Sequence, residues 1–336
     1  MIDKKVGSMI INLFARGDLG QIATPITPVS GGFMHRMYRV DTTNKSYAVK
    51  HLNPVIMQRQ GAKDNYKRAE ALEKKLEEAG IPIVPAITID GAKMQECQGE
   101  FFYIFDWKEG KITDWNNITA EQCWFAGEIQ GKIHAIEPRK IVRTGEMSLS
   151  NIDFGKYIRE AENKNRDIFL CLKENENLLN YAQGQLNRAR QALPDIECIV
   201  DEDMDPKNVM WDNGKPFVID LECLDYGNPI SSAVQLSLQW AGITTCSLDL
   251  AKHRAFWEGY LAEYDCGFSD YDKTFGVAYT WIEWLEYNIS RTLGNCQDEA
   301  ERQMGINEVK NTVARIAYIR EMEDEIKHNM NLLSLM

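Results

Sequence analysis

Three oxygen-bearing side chains stand at intervals that chemistry could use: Asp203, Asn208 five positions on, and Asp220 at the end of an apolar run. They fall in residues 200–222, VDEDMDPKNVMWDNGKPFVIDLE, a stretch with seven carboxylates against two lysines. Within it Val209-Met210-Trp211 and Phe217-Val218-Ile219 flank the turn sequence DNGKP, which reads as a β-hairpin. Centred on Gly214, that hairpin pairs Trp211 with Phe217 and sets Asn208 opposite Asp220, with facing Cβ atoms about 4.5–5.5 Å apart. An amide oxygen beside a carboxylate suits Mg²⁺, which takes few protein groups and completes its shell with water and phosphate. Asp203, in the polar loop entering the hairpin, could accept a hydrogen bond from a substrate hydroxyl and orient it toward a metal-bound phosphate. The plainer reading makes Asp201 to Asp205 turn and capping residues on a solvated loop, and for Glu202 and Asp205 it is preferred. It explains less of Asp220, since a carboxylate leaving a buried strand needs a partner, commonly a cation.

These side chains must be positioned by the rest of a 336-residue chain, long enough to favour two lobes over one core. VSGGFMHRMYRVDTTNKSYAVKHLN reads as a glycine turn, a strand, a polar turn over 41–45 and a second strand through Tyr47 and Val49. RAEALEKKLEEAG is a helix stopped by Gly80. IPIVPAITID and EFFYIFDW are apolar enough for buried strands. After Gly110 helical patterns dominate, from Thr119 to about Leu193 and again from Ile230. Residues 1–105 are therefore expected to form a small mixed N-terminal lobe with an antiparallel sheet, 106–110 a hinge, and 111–336 a large, mainly helical lobe. The class is α+β.

Composition excludes some functions. A net charge of -12 argues against a nucleic-acid or anionic-membrane partner and is compatible with a cationic small molecule. No apolar run is long enough to cross a bilayer, no cleavable leader is evident, and eight scattered cysteines form no C-x-x-C pair, so a cytoplasmic protein is expected. There is no G-x-x-x-x-G-K-[ST] loop, no G-x-S-x-G elbow and no H-E-x-x-H; the five histidines are isolated and read as structural.

The order of these pieces resembles one family. D-x-x-x-x-N, a short hairpin, then an Asp ending a strand is the phosphoryl-transfer layout of the kinase fold. DEDMDPKNVMW with FVIDLE resembles the catalytic loop and metal-binding Asp of the aminoglycoside phosphotransferase and choline kinase-like family. YAVKHL is similar to its lysine-bearing strand, RAEALEKKLEEAGIPIVPAI to its next helix and strand, and FYIFDWKEG to its hinge. The resemblance implies a protein kinase-like fold and a nucleotide, ATP or GTP, held with Mg²⁺. It gives Lys50 the α and β phosphates and Glu70 the ion pair with Lys50, with Glu73 as a rival. Ser30, Gly31 and Gly32 would close over the phosphates, and backbone near Asp106 and Trp107 would meet the purine. Asp203 becomes the base or hydroxyl positioner, and Asn208 and Asp220 the Mg²⁺ ligands. The family's loop begins His-Gly-Asp where this chain has Asp201-Glu202-Asp203, which removes a bracing ring and adds negative charge.

Leu-Glu-Cys after Asp220, with no Ala-Pro-Glu beyond, argues against a protein kinase and for transfer to a small-molecule hydroxyl. Glu222, Asp225, Glu283 and Glu286, with Trp281, Trp284 and Tyr287 interleaved on one helix, are candidates to face the acceptor. Acids would pair with an amino sugar's ammonium groups, and aromatic faces would suit choline or another quaternary amine. Trp281, Trp284 and Asn288 also recur at helical spacing, which for the tryptophans favours a core over a cage. Amino sugar, amino alcohol and plain sugar remain open, as does a nucleotide-binding regulator without activity.

Overall fold

The computed structural model describes residues 2–29, 35–141, 148–265, 271–296 and 298–333. The chain forms two compact units, one comprising Met1–Ile112 with Lys207–Asp225, the other Thr113–Pro206 with Tyr226–Met336. The segment 207–225 thus counts with the first unit, whereas the sequence placed everything from 111 onward in the second lobe.

The first unit is built on a five-stranded antiparallel sheet of β1 (Thr27–Val29), β2 (Arg36–Asp41), β3 (Ser46–His51), β4 (Gln95–Cys97) and β5 (Glu100–Asp106), in the order β1-β2-β3-β5-β4. Alternation along the strands gives the sheet two chemically different faces. One carries Val40, Val49 and Ile104 and is covered by Met9, Ile10, Leu13 and Phe14 of the helix Lys4–Arg16. The other carries Lys50, which sits opposite Met37 on β2 and Tyr103 on β5. Tyr66 of the helix Ala62–Glu78 packs with Leu52, Ala86 and Tyr103 there. That helix ends as expected, with Gly80 at a φ of 71° that costs glycine little.

IPIVPAITID forms no strand of its own. It makes isolated bridges, Ile83 to Val218, Ala86 to Phe105 and Ile89 to Ala92. Pro82 and Pro85 lack the N–H groups a ladder needs. What it does is hold the hairpin: the Val84 N–H donates to the Val218 carbonyl at 2.9 Å, and the Val218 N–H to the Pro82 carbonyl at 2.8 Å. On the hairpin's other edge the strand Lys111–Ile112 pairs with Val209–Asp212.

The second unit is mainly helical. The helices Ala120–Ile136 and Leu250–Glu263 cross at glycines, because a Cβ on Gly127 would stand 1.9 Å from the Phe256 carbonyl oxygen and one on Gly259 2.1 Å from that of Trp124. The strand Ile196–Asp201 runs buried into the loop that carries Asp203. A 35-residue helix, Glu299–Leu333, buries Val309, Val313, Ile316 and Ile319.

Candidate active site

The hairpin forms, in a register one residue away from the one expected. Asp212 pairs with Lys215, Trp211 with Pro216 and Val209 with Val218. Asn213 and Gly214 both have positive φ, 48° and 78°, the signature of a two-residue turn. A turn centred between them, and not on Gly214, moves every partner by one. Asn208 therefore faces Ile219, whose N–H donates to the Asn208 carbonyl at 2.9 Å. Asp220 leaves the strand in a left-handed conformation at φ 63° and ψ 56°. Asn208 is buried, and the Asp220 carboxylate is about one-third open.

That carboxylate meets Lys50. Lys50 Nζ lies 2.5 Å from Asp220 Oδ1 and also pairs with Glu222 Oε2. The lysine side chain is 7% exposed, so its charge depends on these partners. Burial alone would pull the Lys50 pKa down; the Asp220 and Glu222 carboxylates outweigh it and hold the ammonium form. Glu222 shows the mirror effect. Burial would push its carboxyl up, but the hydrogen bond from His35 and the charge of Lys50 hold it below the usual carboxylate range. His35 Nε2 stands 3.1 Å from Glu222 Oε1, and the Tyr66 hydroxyl 3.5 Å from Oε2. Lys50, Tyr66, Glu70, Tyr103, Asp220 and Glu222 line a cavity of about 30 Å³, room enough for bound water.

The Lys50–Glu70 pair is not made, nor is the rival pair with Glu73. Tyr103 is the reason for the first: it sits directly across from Lys50 and its hydroxyl donates to Glu70 Oε1 at 2.8 Å. Glu70 also takes the Met94 N–H at 3.0 Å. Glu73 accepts from Lys93 Nζ and the Ala86 N–H, both at 2.7 Å. Asp106 pairs with Lys45 at 2.5 Å. The Trp107 N–H donates to the Ser46 carbonyl at 3.1 Å, and its ring lies under Arg39 at 4.5 Å. Ser30, Gly31 and Gly32 lie outside the described residues.

Asp203 belongs to the second unit, where its N–H donates to Asp201 Oδ1 at 3.1 Å. Asp201, 1% exposed, thus braces the loop as an acceptor. Trp240 Nε1 donates to the Met204 carbonyl at 2.9 Å and fixes the same loop from behind. Asp205 is buried and not the solvated loop residue expected.

Each of the four acids proposed to face an acceptor has a partner within its own unit. Glu222 serves Lys50, and Asp225 accepts both hydrogen bonds of an Arg68 fork at 3.1 and 2.8 Å. In the second unit Glu283 forms a bidentate pair with Arg190, and Glu286 accepts from the Tyr157 hydroxyl at 3.0 Å. On the helix Trp281–Thr292 the aliphatic Ile282, Leu285 and Ile289, and not the tryptophans, take core positions. Trp281 is half-buried under Arg315 at 4.0 Å, while Trp284 stays 40% exposed and stacks on Tyr287.

Sequence reading missed His35 and Tyr66. His35 precedes β2 at the parity that shares a face with Met37 and Lys50, so period-two alternation was the available signal.

Asn208 and Asp220 fit Mg²⁺ by donor chemistry: one buried amide where the chain enters the hairpin and one partly open carboxylate where it leaves. A buried lysine on the central strand of an antiparallel sheet, met by acids from a hairpin, is an arrangement that suits a protein kinase-like fold. The model of the phosphotransferase enzyme family matches residues 25–266, and the chain belongs to that family. Solved structures agree on the fold. Spectinomycin phosphotransferase, in complex with ADP and spectinomycin, is similar at a TM-score of 0.66 and 16% identity, covering 94% of this chain and 98% of that one. Amicoumacin kinase, in complex with AMP-PNP and Ca²⁺, gives 0.58 at 13% identity over 94% and 96%. A Plasmodium vivax ethanolamine kinase gives 0.57 at 12% over 87% and 82%. No curated protein sequence matches the chain.

Proposed function

We propose that this enzyme transfers the γ-phosphate of ATP or GTP to a hydroxyl of an amino sugar or amino alcohol, in the cytoplasm and with Mg²⁺. The observation that carries the reading is the Lys50–Asp220–Glu222 cluster, a buried cation beside an acid left partly open. Lys50 would take the α and β phosphates, with Ser30, Gly31 and Gly32 closing over them. Backbone at 106–107 would meet the purine. Asn208 and Asp220 would hold Mg²⁺, which neutralises charge on the phosphates as it transfers. Asp203, on a loop braced by Asp201 and Trp240, would orient the acceptor hydroxyl and accept its hydrogen bond.

The acceptor class rests on thinner support. The net charge of -12 favours a cation. Neighbours are named for ethanolamine and aminopropanol, each of which carries an amine and a hydroxyl. Trp284, 40% exposed and stacked on Tyr287, offers aromatic surface that would suit such an amine.

The test is product formation from ATP and GTP across amino sugars, amino alcohols, choline-like alcohols and simple sugars. Phosphorylation of an amine-bearing alcohol is expected, with Asp203→Ala lowering turnover about 10²–10⁴-fold while Mg-nucleotide binding persists. If every acceptor fails while Mg-nucleotide still binds, the chain is a nucleotide-binding regulator on the kinase fold and the catalytic reading falls.

A further inference from the structure

Lys50 has two acidic partners, and they are not equivalent. Asp220 is the carboxylate the proposed function assigns to Mg²⁺, so it cannot also serve as the lysine's sole counter-ion. Glu222 has no such second duty and is held on both oxygens. Oε1 accepts from His35 Nε2 at 3.1 Å; Oε2 takes Lys50 Nζ, with the Tyr66 hydroxyl at 3.5 Å.

His35 is itself fixed. The Asn53 N–H donates to His35 Nδ1 at 3.0 Å, which places the ring hydrogen on Nε2, facing Glu222. The Tyr66 hydroxyl approaches the same Nε2 at 3.3 Å. His35 is 7% exposed and Lys50 5%. A continuous relay therefore runs from the backbone after β3, through the imidazole and one carboxylate, to the ammonium group. The acids of the helix Ala62–Glu78 pair elsewhere: Glu70 Oε1 accepts from Tyr103 and Met94, Glu73 Oε1 from Lys93 and Ala86, and neither pairs with Lys50.

We propose that Glu222 is the positioning residue for Lys50, doing the work the sequence assigned to Glu70, and that His35 positions Glu222. Deepening the phosphotransfer reading above, this inference rests on Lys50 receiving the nucleotide phosphates. Glu222 keeps the ammonium group aimed and charged whatever Asp220 binds, and His35 keeps Glu222 from swinging to solvent. His35 and Lys50 donate to different oxygens of Glu222, so a Gln at 222 turns an NH₂ donor group toward one of them and loses that hydrogen bond. A Gln at 35 presents its amide N–H where the imidazole Nε2–H stood; an Ala presents nothing.

The experiment is calorimetric titration of the full chain with Mg-ATP and Mg-GTP, with thermal unfolding as a control for folding. Glu222→Gln and His35→Ala are each expected to weaken binding of the preferred nucleotide about tenfold or more, the loss of a hydrogen bond to a charged group. His35→Gln should recover most of that loss, which a merely space-filling role for the ring would not predict. Glu70→Gln should lose less than Glu222→Gln. The proposal is overturned if Glu222→Gln binds like the wild type, if Glu70→Gln loses more, or if His35→Gln and His35→Ala lose alike. Should Glu222→Gln fail to fold, the two His35 variants decide. A wild-type chain that binds neither nucleotide defeats the phosphotransfer reading itself, and this inference with it.

Discussion

Glu222 and Glu323 are both largely buried carboxylates bridged by cations, one in each unit, and their settings differ in a way that separates function from scaffold. Glu323, 4% exposed on the helix Glu299–Leu333, accepts from the Tyr279 hydroxyl at 2.8 Å, Tyr181 at 3.0 Å, Arg320 at 2.9 Å and Lys327 at 2.7 Å. Among the described residues its two cations pair with no other acid. Burial would raise its carboxyl, yet the hydrogen bonds from Lys327 and Tyr279 hold it down. The acid is saturated: four donors, two of them cations, converge on one carboxylate. Around Glu222, by contrast, one lysine answers two carboxylates, and the second, Asp220, opens on a cavity. A carboxylate that lines a cavity can meet a ligand there; one wrapped by four internal donors cannot.

The comparison breaks hardest at the helix crossing of the second unit. Gly127→Ala would drive a methyl group against the Phe256 backbone, and the helices must part. A loss of about 3 kcal/mol or more in urea unfolding is expected; a loss under about 1 kcal/mol would show that this unit yields and is no rigid scaffold. Next comes Glu323→Ala, which leaves two tyrosine hydroxyls and two cations without their acceptor. It should cost about 2–3 kcal/mol of stability, with Mg-ATP affinity unchanged in calorimetric titration. Glu222→Gln should show the opposite division, affinity lost and stability largely kept. If the two variants behaved alike, the distinction between a saturated acid and one that lines a cavity would fail.

Acid sharpens the same contrast. His134 and His253 are buried in the second unit, and burial pulls both imidazoles from the usual 6.5 down to about 3. A depressed folded-state value means that the unfolded chain binds the proton first. Stability is therefore complete above about pH 6.5 and falls as pH drops below it, by about 1.4 kcal/mol per pH unit for each histidine. Urea midpoints measured from pH 7 down to about pH 5 should decline accordingly; a flat profile would mean that these rings are not sealed from water.

Much of the first unit was legible because its signals are local. The strands around Lys50, the helix stopped at Gly80 and the turn at Asn213-Gly214 each carry their own punctuation. What could not be read was side-chain competition across strands. Nothing near Glu70 in sequence says that Tyr103 will stand opposite Lys50 and intercept it. The one-residue error in the hairpin has the same root: Asn213 and Gly214 both accept positive φ, so a sequence reader must choose the turn's centre, and every facing pair follows that choice. Pro82 and Pro85 are breakers inside an apolar run, and their missing donors, not the run's hydrophobicity, decide its structure. His35 looks isolated in the sequence because its partners, Asn53 and Glu222, come from separate turns of chain.

The smallest effect concerns the aromatic pair on the helix Trp281–Thr292. Trp284 is 40% exposed, stacks on Tyr287 with centroids 5.4 Å apart, and donates to Glu308 at 3.1 Å. An exposed ring with one hydrogen bond contributes little to folding, so Trp284→Ala should shift stability by no more than about 1 kcal/mol. Its worth, if the acceptor is a cation, lies in the ring face, and KM for an amine-bearing acceptor should then rise by about three- to thirtyfold. The two readouts place this residue with one cluster or the other. Large stability loss with unchanged KM would put Trp284 beside Glu323, as scaffold that happens to reach the surface. Raised KM with stability kept would put it beside Glu222, among side chains held in place for a ligand and not for the fold.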